Sequence, residues 1–314
     1  MIKSKDPPRH LTRRQVLKRL SALAGLAAIV PFRANATAAE QRKRKIPSSG
    51  EPIPVMGLGT ARAFDVAGDE KSRASLREVV RLFVEHGGTM IDSSPMYGRA
   101  EDVVGDLAAD LELDDALFYA TKVWTTGREQ GIEQMENSFR LLRTPVIELM
   151  QVHNLVDTQT HLATIRKWIA QKRIRYVGIT HYTASAFDDL ERLIRSETLD
   201  YVQFPYSIVN RQAEQRLIPA AADHGVAVIA HRNFEKGALF RKVRGKPVPA
   251  WTAEFDCRSW GNFFLKYLIG DPRVSNVIPA TRKPKHLIDN MGAGLGRLPD
   301  AAMRRRMVRF FDAL

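Results

Sequence analysis

Short apolar runs alternate with helical patterns along the chain from Val55 onward. Each run is rich in aliphatic and β-branched residues, and the stretch that follows repeats its apolar positions with a period near 3.6 residues. The eight runs cover residues 55–60, 88–94, 117–124, 147–153, 174–180, 201–206, 225–231 and 274–281. This pattern predicts eight β-strands separated by helices.

Strands that alternate with helices pair in parallel, because parallel neighbours need a crossover connection. Eight such units in about 260 residues favour a single-domain α/β fold, the closed (β/α)8 or TIM barrel. An open doubly wound sheet is the alternative. Such a sheet would carry a G-x-G-x-x-G phosphate loop after its first strand, and residues 57–62 lack the third glycine.

Three later segments fall outside the regular alternation. Residues 233–258 show little periodicity and contain several basic and Pro residues, so they are predicted to form a long loop after the seventh strand. Residues 258–270 predict a further helix before the eighth strand, and residues 299–314 predict a terminal helix.

The first 38 residues have the order of an export signal. Residues 1–19 are basic, residues 20–32 are mostly apolar, and small residues follow. The apolar stretch of about a dozen residues is shorter than the roughly 20 that a membrane-spanning helix needs. We therefore expect a signal peptide over residues 1–38, cleaved after Ala36 or Ala38, a polar lead-in over residues 39–50, and the barrel over residues 51–314.

Residues 12–18, TRRQVLK, resemble the twin-arginine export motif, in which S/T-R-R-x precedes an apolar residue, Leu and Lys. The resemblance implies a bacterial protein that the twin-arginine machinery exports to the periplasm after folding. An amphipathic helix with basic ends is the alternative interpretation of this segment.

The formal net charge of +13 is concentrated near the N-terminus. Residues 1–45 contain twelve Lys and Arg residues against Asp6 and Glu40, so this segment carries +10 and the remaining chain only +3. A nearly neutral body argues against nucleic acid as a partner. Cys257 is the only cysteine, which excludes an internal disulfide and a cysteine-based metal site.

Polar residues stand at the carboxyl ends of most of the predicted strands, where the active sites of TIM barrels lie. They are Asp92, Lys122, His153, Asn154, Thr180, His181, Gln203, His231, Arg232 and Asn233. Asp92 and Lys122 interrupt apolar strands, and an unpaired buried charge would cost several kcal/mol. We therefore expect the two to pair across adjacent strands, either as a structural ion pair or as part of a site.

A tyrosine and a histidine on the same rim favour a site. Tyrosine has a reference pKa of about 10 and exchanges protons poorly near neutrality. A neighbouring ammonium favours the phenolate, so Lys122 is expected to lower the pKa of Tyr97, while Asp92 holds the lysine in place. Together with His153, this cluster predicts proton transfer to or from an oxygen atom. The spacing does not fit metal ligands, so no metal is expected.

These motifs resemble those of the aldo-keto reductase family. Residues 91–98, IDSSPMYG, are close to the family's D-T/S-A/S-x-x-Y-G, and residues 120–124, 149–154 and 178–180 match further family motifs. The resemblance covers nearly all of the body. It implies NAD(P)H-dependent reduction of a small aldehyde or ketone, with hydride passing to the carbonyl carbon. Its implied catalytic set is Asp92, Tyr97, Lys122 and His153, with Tyr97 as the proton donor.

The same resemblance implies contacts to a dinucleotide. Gln203 matches the residue that holds the nicotinamide carboxamide, Thr180 and His181 replace the usual Ser and Asn, and His231 replaces a stacking aromatic residue. Residues 281–283 suit a 2′-phosphate, which favours NADPH over NADH. The implied set is Gly59, Thr60, Thr180, His181, Gln203, His231, Arg232, Asn233, Thr281, Arg282, Lys283, Asp289 and Asn290.

Phe64, Trp124 and Asn154 are the candidate substrate contacts, together with the predicted loop over residues 233–258. Two alternatives to a reductase stay open: an NADP(H)-binding sensor or subunit with little turnover, and an isomerase or lyase that uses the Tyr–Lys pair as a base. An exported reductase would also need a retained cofactor, a redox partner or another electron donor outside the cytoplasm. The sequence does not indicate an oligomeric state.

Overall fold

A computed structural model of the protein describes residues 40–66 and 68–314. Within this part of the chain, eight parallel strands follow one another in chain order around one sheet. They are β3 (Leu58–Gly59), β4 (Met90–Asp92), β5 (Phe118–Val123), β6 (Ile147–His153), β7 (Ile174–Thr180), β8 (Tyr201–Pro205), β9 (Ala227–His231) and β10 (Val274–Val277). Each of the eight predicted runs contains one of these strands.

Two parallel bridges close the sheet. Met56 pairs with Val277 and Gly59 pairs with Ala280, so the first strand meets the last. The predicted single-domain (β/α)8 barrel is therefore confirmed.

Helices surround the barrel, and several begin at side-chain caps. Asp69, Ser259 and Asp300 each accept a hydrogen bond from a backbone N–H of the first helical turn. The helices of the described residues are α1 (Glu70–Glu85), α2 (Ala100–Asp110), α3 (Arg128–Leu142), α4 (Thr158–Ala170), α5 (Phe187–Ser196), α6 (Leu217–Asp223), α7 (Ala238–Lys242), α8 (Trp260–Ile269), α9 (Pro284–Gly292) and α10 (Ala301–Asp312). Helices α8 and α10 are the two that residues 258–270 and 299–314 predicted.

The pleat of the strands separates two hydrophobic clusters. Met90, Phe118, Leu149, Tyr201 and Ile229 belong to a cluster in the barrel interior. The residue that follows each of them along its strand belongs to the larger cluster between the strands and the surrounding helices. Because side chains alternate between the two faces of a strand, residues two or four positions further along also face the interior.

A hairpin closes the amino-terminal end of the barrel. Strands β1 (Lys43–Lys45) and β2 (Pro52–Pro54) pair antiparallel, and the adjacent Ile46 joins the interior cluster with Ile53. The Arg44 guanidinium donates to the carbonyl of Asp271 at 2.8 Å, and burial lowers its pKa to about 10. Residues 43–50, expected as part of a polar lead-in, therefore belong to the folded body.

The segment 233–258 differs from the predicted long loop. It contains α7 and two 3-10 turns, Glu235–Gly237 and Ala250–Phe255. Leu239, Val243 and Phe255 anchor it in the core. Its helical pieces are too short to produce a visible period in the sequence, which explains why the pattern did not reveal them.

Among residues 40–66 and 68–314, no helix combines the length and the apolar character needed to cross a membrane. The expected signal peptide, its twin-arginine motif and both cleavage positions lie outside the described residues.

Helices α2 and α3 approach each other at Gly105. A Cβ atom at this position would lie 2.1 Å from the Leu141 carbonyl oxygen, and a backbone atom cannot easily move aside. We expect Gly105→Ala to lower the free energy of unfolding by about 1–3 kcal/mol, measured by urea denaturation.

Gly292→Ala is the matched control, because a Cβ there would meet Asn262 Nδ2 at an ordinary 3.7 Å. Its expected effect is neutral or stabilising by up to about 1 kcal/mol, from the better helix propensity of alanine. Equal destabilisation by the two substitutions would contradict the close approach at Gly105.

Candidate active site

The alternation of side chains along the strands places the candidate site. Asp92, Lys122, His153, Gln203 and His231 all lie an even number of residues from interior-facing positions of their own strands. All five also stand at or near the carboxyl ends of those strands. They therefore converge inside the barrel at the end opposite the hairpin.

Asp92 and Lys122 form a buried ion pair across β4 and β5. Lys122 Nζ donates to Asp92 Oδ2 at 2.8 Å and to the Ser93 carbonyl at 2.6 Å, with side-chain exposures of only 1% for Lys122 and 3% for Asp92. Gln151 Nε2 donates to the other carboxylate oxygen at 3.2 Å. The predicted pairing across adjacent strands is therefore confirmed. Sequence reasoning missed Gln151, although its position two residues before His153 predicts that it faces inward.

Burial alone would lower the pKa of Lys122, but the carboxylate of Asp92 and the phenol of Tyr97 outweigh it and hold that pKa above its usual value. The lysine is therefore a fixed cation within the barrel.

Tyr97 lies on the loop after β4, and Lys122 Nζ is 5.3 Å from the centroid of its ring. Burial raises the pKa of Tyr97, and the opposing effect of the Lys122 ammonium is smaller, so the pKa lies above its ordinary value of 10.0. The expectation that Lys122 lowers this pKa is therefore wrong for the net shift, because desolvation of the phenolate dominates. The tyrosine holds its proton firmly.

His153 at the end of β6 faces Tyr97 edge-on, with ring centroids 6.2 Å apart. Its Nδ1 lies 3.1 Å from the Ser94 hydroxyl. Burial, followed by the charge of Lys122, lowers the pKa of His153 to about 2, so its imidazole is neutral across the physiological range. The four residues Asp92, Tyr97, Lys122 and His153 thus form one cluster.

A cavity of about 1290 Å³ opens above this cluster, and all four residues line it. Ten of the thirteen residues that the resemblance implies for a dinucleotide also line the cavity. They are Gly59, Thr60, Thr180, Gln203, His231, Arg232, Asn233, Thr281, Asp289 and Asn290.

The other three of these thirteen do not line the cavity. The ring of His181 stacks on Tyr182 with centroids 5.3 Å apart. Arg282 donates to the backbone carbonyls of Ala63 and Arg62, while Lys283 is exposed at the start of α9. These side chains lie in loops, where tertiary contacts decide the direction that the sequence leaves open.

Two buried amide oxygens indicate that the cavity fits a polar ligand. Gln203 Oε1 and Asn233 Oδ1 have no hydrogen-bond partner within residues 40–66 and 68–314. An unpaired buried acceptor is costly, so each suits a donor from a bound molecule such as a carboxamide. Elsewhere in the cavity wall, Ser259 Oγ donates to Asp289 Oδ2 at 2.8 Å. Residue 261 is a glycine, and a Cβ atom there would lie only 2.5 Å from the same Asp289 oxygen.

The three candidate substrate contacts differ in position. Trp124 and Asn154 line the cavity, and the Trp124 side chain is 42% exposed, with its ring centroid 6.4 Å from that of His153. Phe64 is 0% exposed, belongs to the hydrophobic core and does not line the cavity, so its assignment is corrected. An apolar residue just after a strand carries no sequence signal that separates core from cavity.

Phe240 of the cavity wall lies in the 233–258 segment that was a candidate substrate contact, whereas sequence reasoning missed Met96 and Tyr182 of the same wall; all three side chains are exposed. Each lies in a connection after a strand, where no periodicity marks an inward direction.

Within the described parts of the chain, no three His, Cys, Asp or Glu side chains are grouped so as to hold a metal ion.

Residues 55–306 match the model of a protein family described as the aldo/keto reductase family. Among curated proteins, the chain is 26% identical over 227 residues to aldo-keto reductase YhdN of Bacillus subtilis, covering 67% of this chain and 66% of YhdN. The chain therefore spans just under two thirds of the length of that relative. It is 28% identical over 207 residues to methylglyoxal reductase YeaE of Escherichia coli, covering 64% of this chain and 71% of YeaE.

Among solved structures, the fold is similar to that of an aldo-keto reductase from Klebsiella pneumoniae in complex with NADPH. The TM-score is 0.71 at 22% sequence identity, and the match covers 87% of this chain and 95% of the other. At this level of identity the likeness concerns the fold.

The buried pair predicts a strong asymmetry between single and double substitutions. Lys122→Met leaves the Asp92 carboxylate buried without its cation, so we expect the free energy of unfolding to fall by about 3–5 kcal/mol. Adding Asp92→Asn removes the stranded charge and is expected to restore much of the loss. Urea denaturation of the two single variants and the double variant measures the coupling.

Arg192→Met, which removes the exposed partner of Asp189, is the control, with an expected effect below about 1 kcal/mol. Additive losses from Lys122→Met and Asp92→Asn would contradict the coupling of the buried pair.

Proposed function

The chain belongs to the aldo/keto reductase family, and on that premise we propose that it is an NADPH-dependent oxidoreductase that reduces an aldehyde or ketone to an alcohol. The observation that carries the proposal is the buried Asp92–Lys122 pair beside Tyr97 and His153 at the floor of one cavity. The cavity continues to the polar wall at Gln203 that suits a carboxamide.

The cavity residues fit a nicotinamide dinucleotide. In our proposal, Gln203 and Asn233 hold the nicotinamide end, and Asp289 and Asn290 hold the adenine end. The start of α9 suits a phosphate, since helix N-termini present backbone N–H groups and a positive dipole end. Thr281 in the cavity wall, with the exposed Lys283 two residues later, favours NADPH over NADH, and NADH is the second candidate. When bound, the reduced cofactor supplies the hydride that carbonyl reduction requires.

Tyr97 donates the proton to the carbonyl oxygen in this proposal. Its raised pKa keeps the phenol protonated until negative charge develops on the substrate oxygen. Once the proton leaves, the Lys122 ammonium stabilises the phenolate, and Asp92 holds that ammonium in place. Tyr97, Lys122 and Asp92 together favour release of the phenol proton when negative charge develops on the substrate oxygen.

His153 orients the substrate. Its neutral ring lies beside Tyr97, so a ring N–H can donate to the same carbonyl oxygen that receives the phenol proton. Trp124 and Asn154 are proposed to contact the remainder of a small carbonyl substrate at the cavity mouth. One relative is named as a methylglyoxal reductase, which makes short dicarbonyl compounds a reasonable first set of test substrates.

Tyr97→Phe tests the chemical step. We expect single-turnover oxidation of NADPH by a test aldehyde to slow by about 10²–10⁴-fold, because the proton donor is lost. Quenching of protein fluorescence by NADPH is expected to be unchanged, since the phenol hydroxyl is not among the proposed cofactor contacts. Stopped-flow absorbance of NADPH and a fluorescence titration give the two readouts.

Tyr176→Phe is the matched control, because the Tyr176 hydroxyl bonds to Glu51 and Ser49 at the opposite end of the barrel. It should leave the rate within about twofold. Cofactor binding without turnover, equal in wild type and Tyr97→Phe, would instead favour a sensor or regulatory subunit. Absence of binding to NADPH and NADH would overturn the proposal.

We further propose that residues 1–38 are a twin-arginine signal peptide and that the folded barrel acts in the periplasm. The support is the order of basic residues, an apolar stretch and small residues, together with Arg13 and Arg14 in the motif TRRQVLK. A protein that encloses a dinucleotide gains from export after folding, because the cofactor is bound in the cytoplasm.

Replacing both Arg13 and Arg14 by Lys tests the export route. We expect the double variant to stay in the cytoplasm at its full chain length, because lysine keeps the charge but loses the guanidinium geometry. Cell fractionation with immunoblotting measures it, and Arg19→Lys, the same change just outside the motif, serves as the control. Undiminished export of the double variant would contradict the twin-arginine route.

A further inference from the structure

Ser94 carries a buried hydroxyl next to His153, and the proposed mechanism gives it no role. It lies two residues after the end of β4 and is 0% exposed. Its Oγ is 3.1 Å from His153 Nδ1, and the backbone N–H of Met96 donates to the same oxygen at 3.3 Å. The serine therefore joins the loop that carries Tyr97 to the histidine.

The hydrogen-bond inventory favours one direction for the contact between Ser94 and His153. A serine hydroxyl has one hydrogen and two lone pairs, and the Met96 N–H already occupies one lone pair. Donation to His153 Nδ1 gives the hydrogen an acceptor. In the reverse direction, Nδ1–H would donate to Ser94 and leave the serine hydrogen buried without an acceptor, which is costly.

We propose that Ser94 is a positioning residue that fixes neutral His153 in the Nε2–H tautomer and so directs an N–H donor at the substrate carbonyl oxygen. This inference rests on the proposed carbonyl reduction. It concerns the free protein as well, because the contact between Ser94 and His153 involves no ligand.

The tautomer matters because His153 has only one ring hydrogen. An imidazolium would offer donors at both nitrogens, but burial and the nearby Lys122 ammonium disfavour that form. In the Nδ1–H tautomer the other nitrogen, Nε2, would carry a lone pair, and a lone pair repels a carbonyl oxygen. Only the Nε2–H form lets the ring assist Tyr97.

The ring is also held in orientation. The Tyr97 ring lies perpendicular to it, at an interplanar angle of 89° and 6.2 Å between centroids, and the Trp124 ring lies 6.4 Å away at 58°. These contacts limit rotation of the imidazole but do not distinguish its nitrogens. The hydroxyl of Ser94 supplies that distinction.

Imidazole ¹⁵N NMR of the histidine-labelled full chain tests the inference without substrate. In wild type, we expect an acceptor-type shift at His153 Nδ1 and a protonated-type shift at Nε2, with the signals assigned by their loss in His153→Gln. In Ser94→Ala, we expect both shifts to move toward intermediate values as the two tautomers exchange. A protonated Nδ1 in wild type, or unchanged shifts in Ser94→Ala, would overturn the proposal.

Kinetics give the second readout. Ser94→Ala is expected to lower kcat about 3- to 10-fold with little change in KM for NADPH, as the loss of one hydrogen bond predicts. Ser94→Thr keeps the hydroxyl and is expected to retain both the wild-type shifts and most of the rate. Ser275→Ala is the control, because it removes another buried hydroxyl, one that accepts from the Val228 N–H at 3.1 Å. It should change neither the ¹⁵N shifts of His153 nor kcat.

The two readouts separate failure of the inference from failure of the proposed function. Wild-type protein that reduces no carbonyl with NADPH would overturn the proposed reaction, while its ¹⁵N shifts still decide whether Ser94 sets the tautomer. Turnover in Ser94→Ala equal to wild type would overturn the positioning role even if the tautomer shifts as expected.

Discussion

The ion pair between Lys122 and Asp92 is the interaction on which the candidate site depends. Burying two charges inside a barrel carries a desolvation cost. That cost is offset only when the charges pair with each other and accept or donate further hydrogen bonds. Asp92 Oδ2, the Ser93 carbonyl and the Gln151 amide together meet that requirement. These groups come from β4, β5 and β6 and the residues directly after β4, so the pair is complete only when these neighbouring strands are in register.

The same ammonium acts differently on the three rings around it. At His153 and His231 it adds to burial, and the pKa values of these residues fall to about 2 and about 3. At Tyr97 it opposes burial, because the phenol becomes negative on ionisation whereas imidazole becomes positive. Burial thus keeps the histidines neutral, with the ammonium of Lys122 and, at His231, the charge of Arg232 adding to it, while the same ammonium limits the cost of forming a phenolate.

Features that repeat along the chain could be predicted from the sequence, and features set by tertiary contacts could not. All eight strands and the pairing of Asp92 with Lys122 follow from apolar runs and from the cost of an unpaired buried charge. The inward direction of Gln151 follows from the pleat. The burial of Phe64 and the net pKa shift of Tyr97 do not, because each depends on how much protein surrounds a loop residue.

The histidines of the rim show why neutral rings suit the proposed reaction. His181 Nδ1 accepts from the Thr183 N–H at 3.2 Å, and His231 Nε2 donates to the His181 carbonyl at 3.2 Å. Each ring therefore has one nitrogen committed to the protein, as Ser94 commits Nδ1 of His153 in our proposal. A neutral ring with one nitrogen committed is a poor proton donor but remains a directional hydrogen-bonding group. Among the groups that contact the substrate oxygen in the proposed mechanism, Tyr97 is then the one that can release a proton. The substrate is therefore protonated by the residue whose phenolate the Lys122 ammonium stabilises.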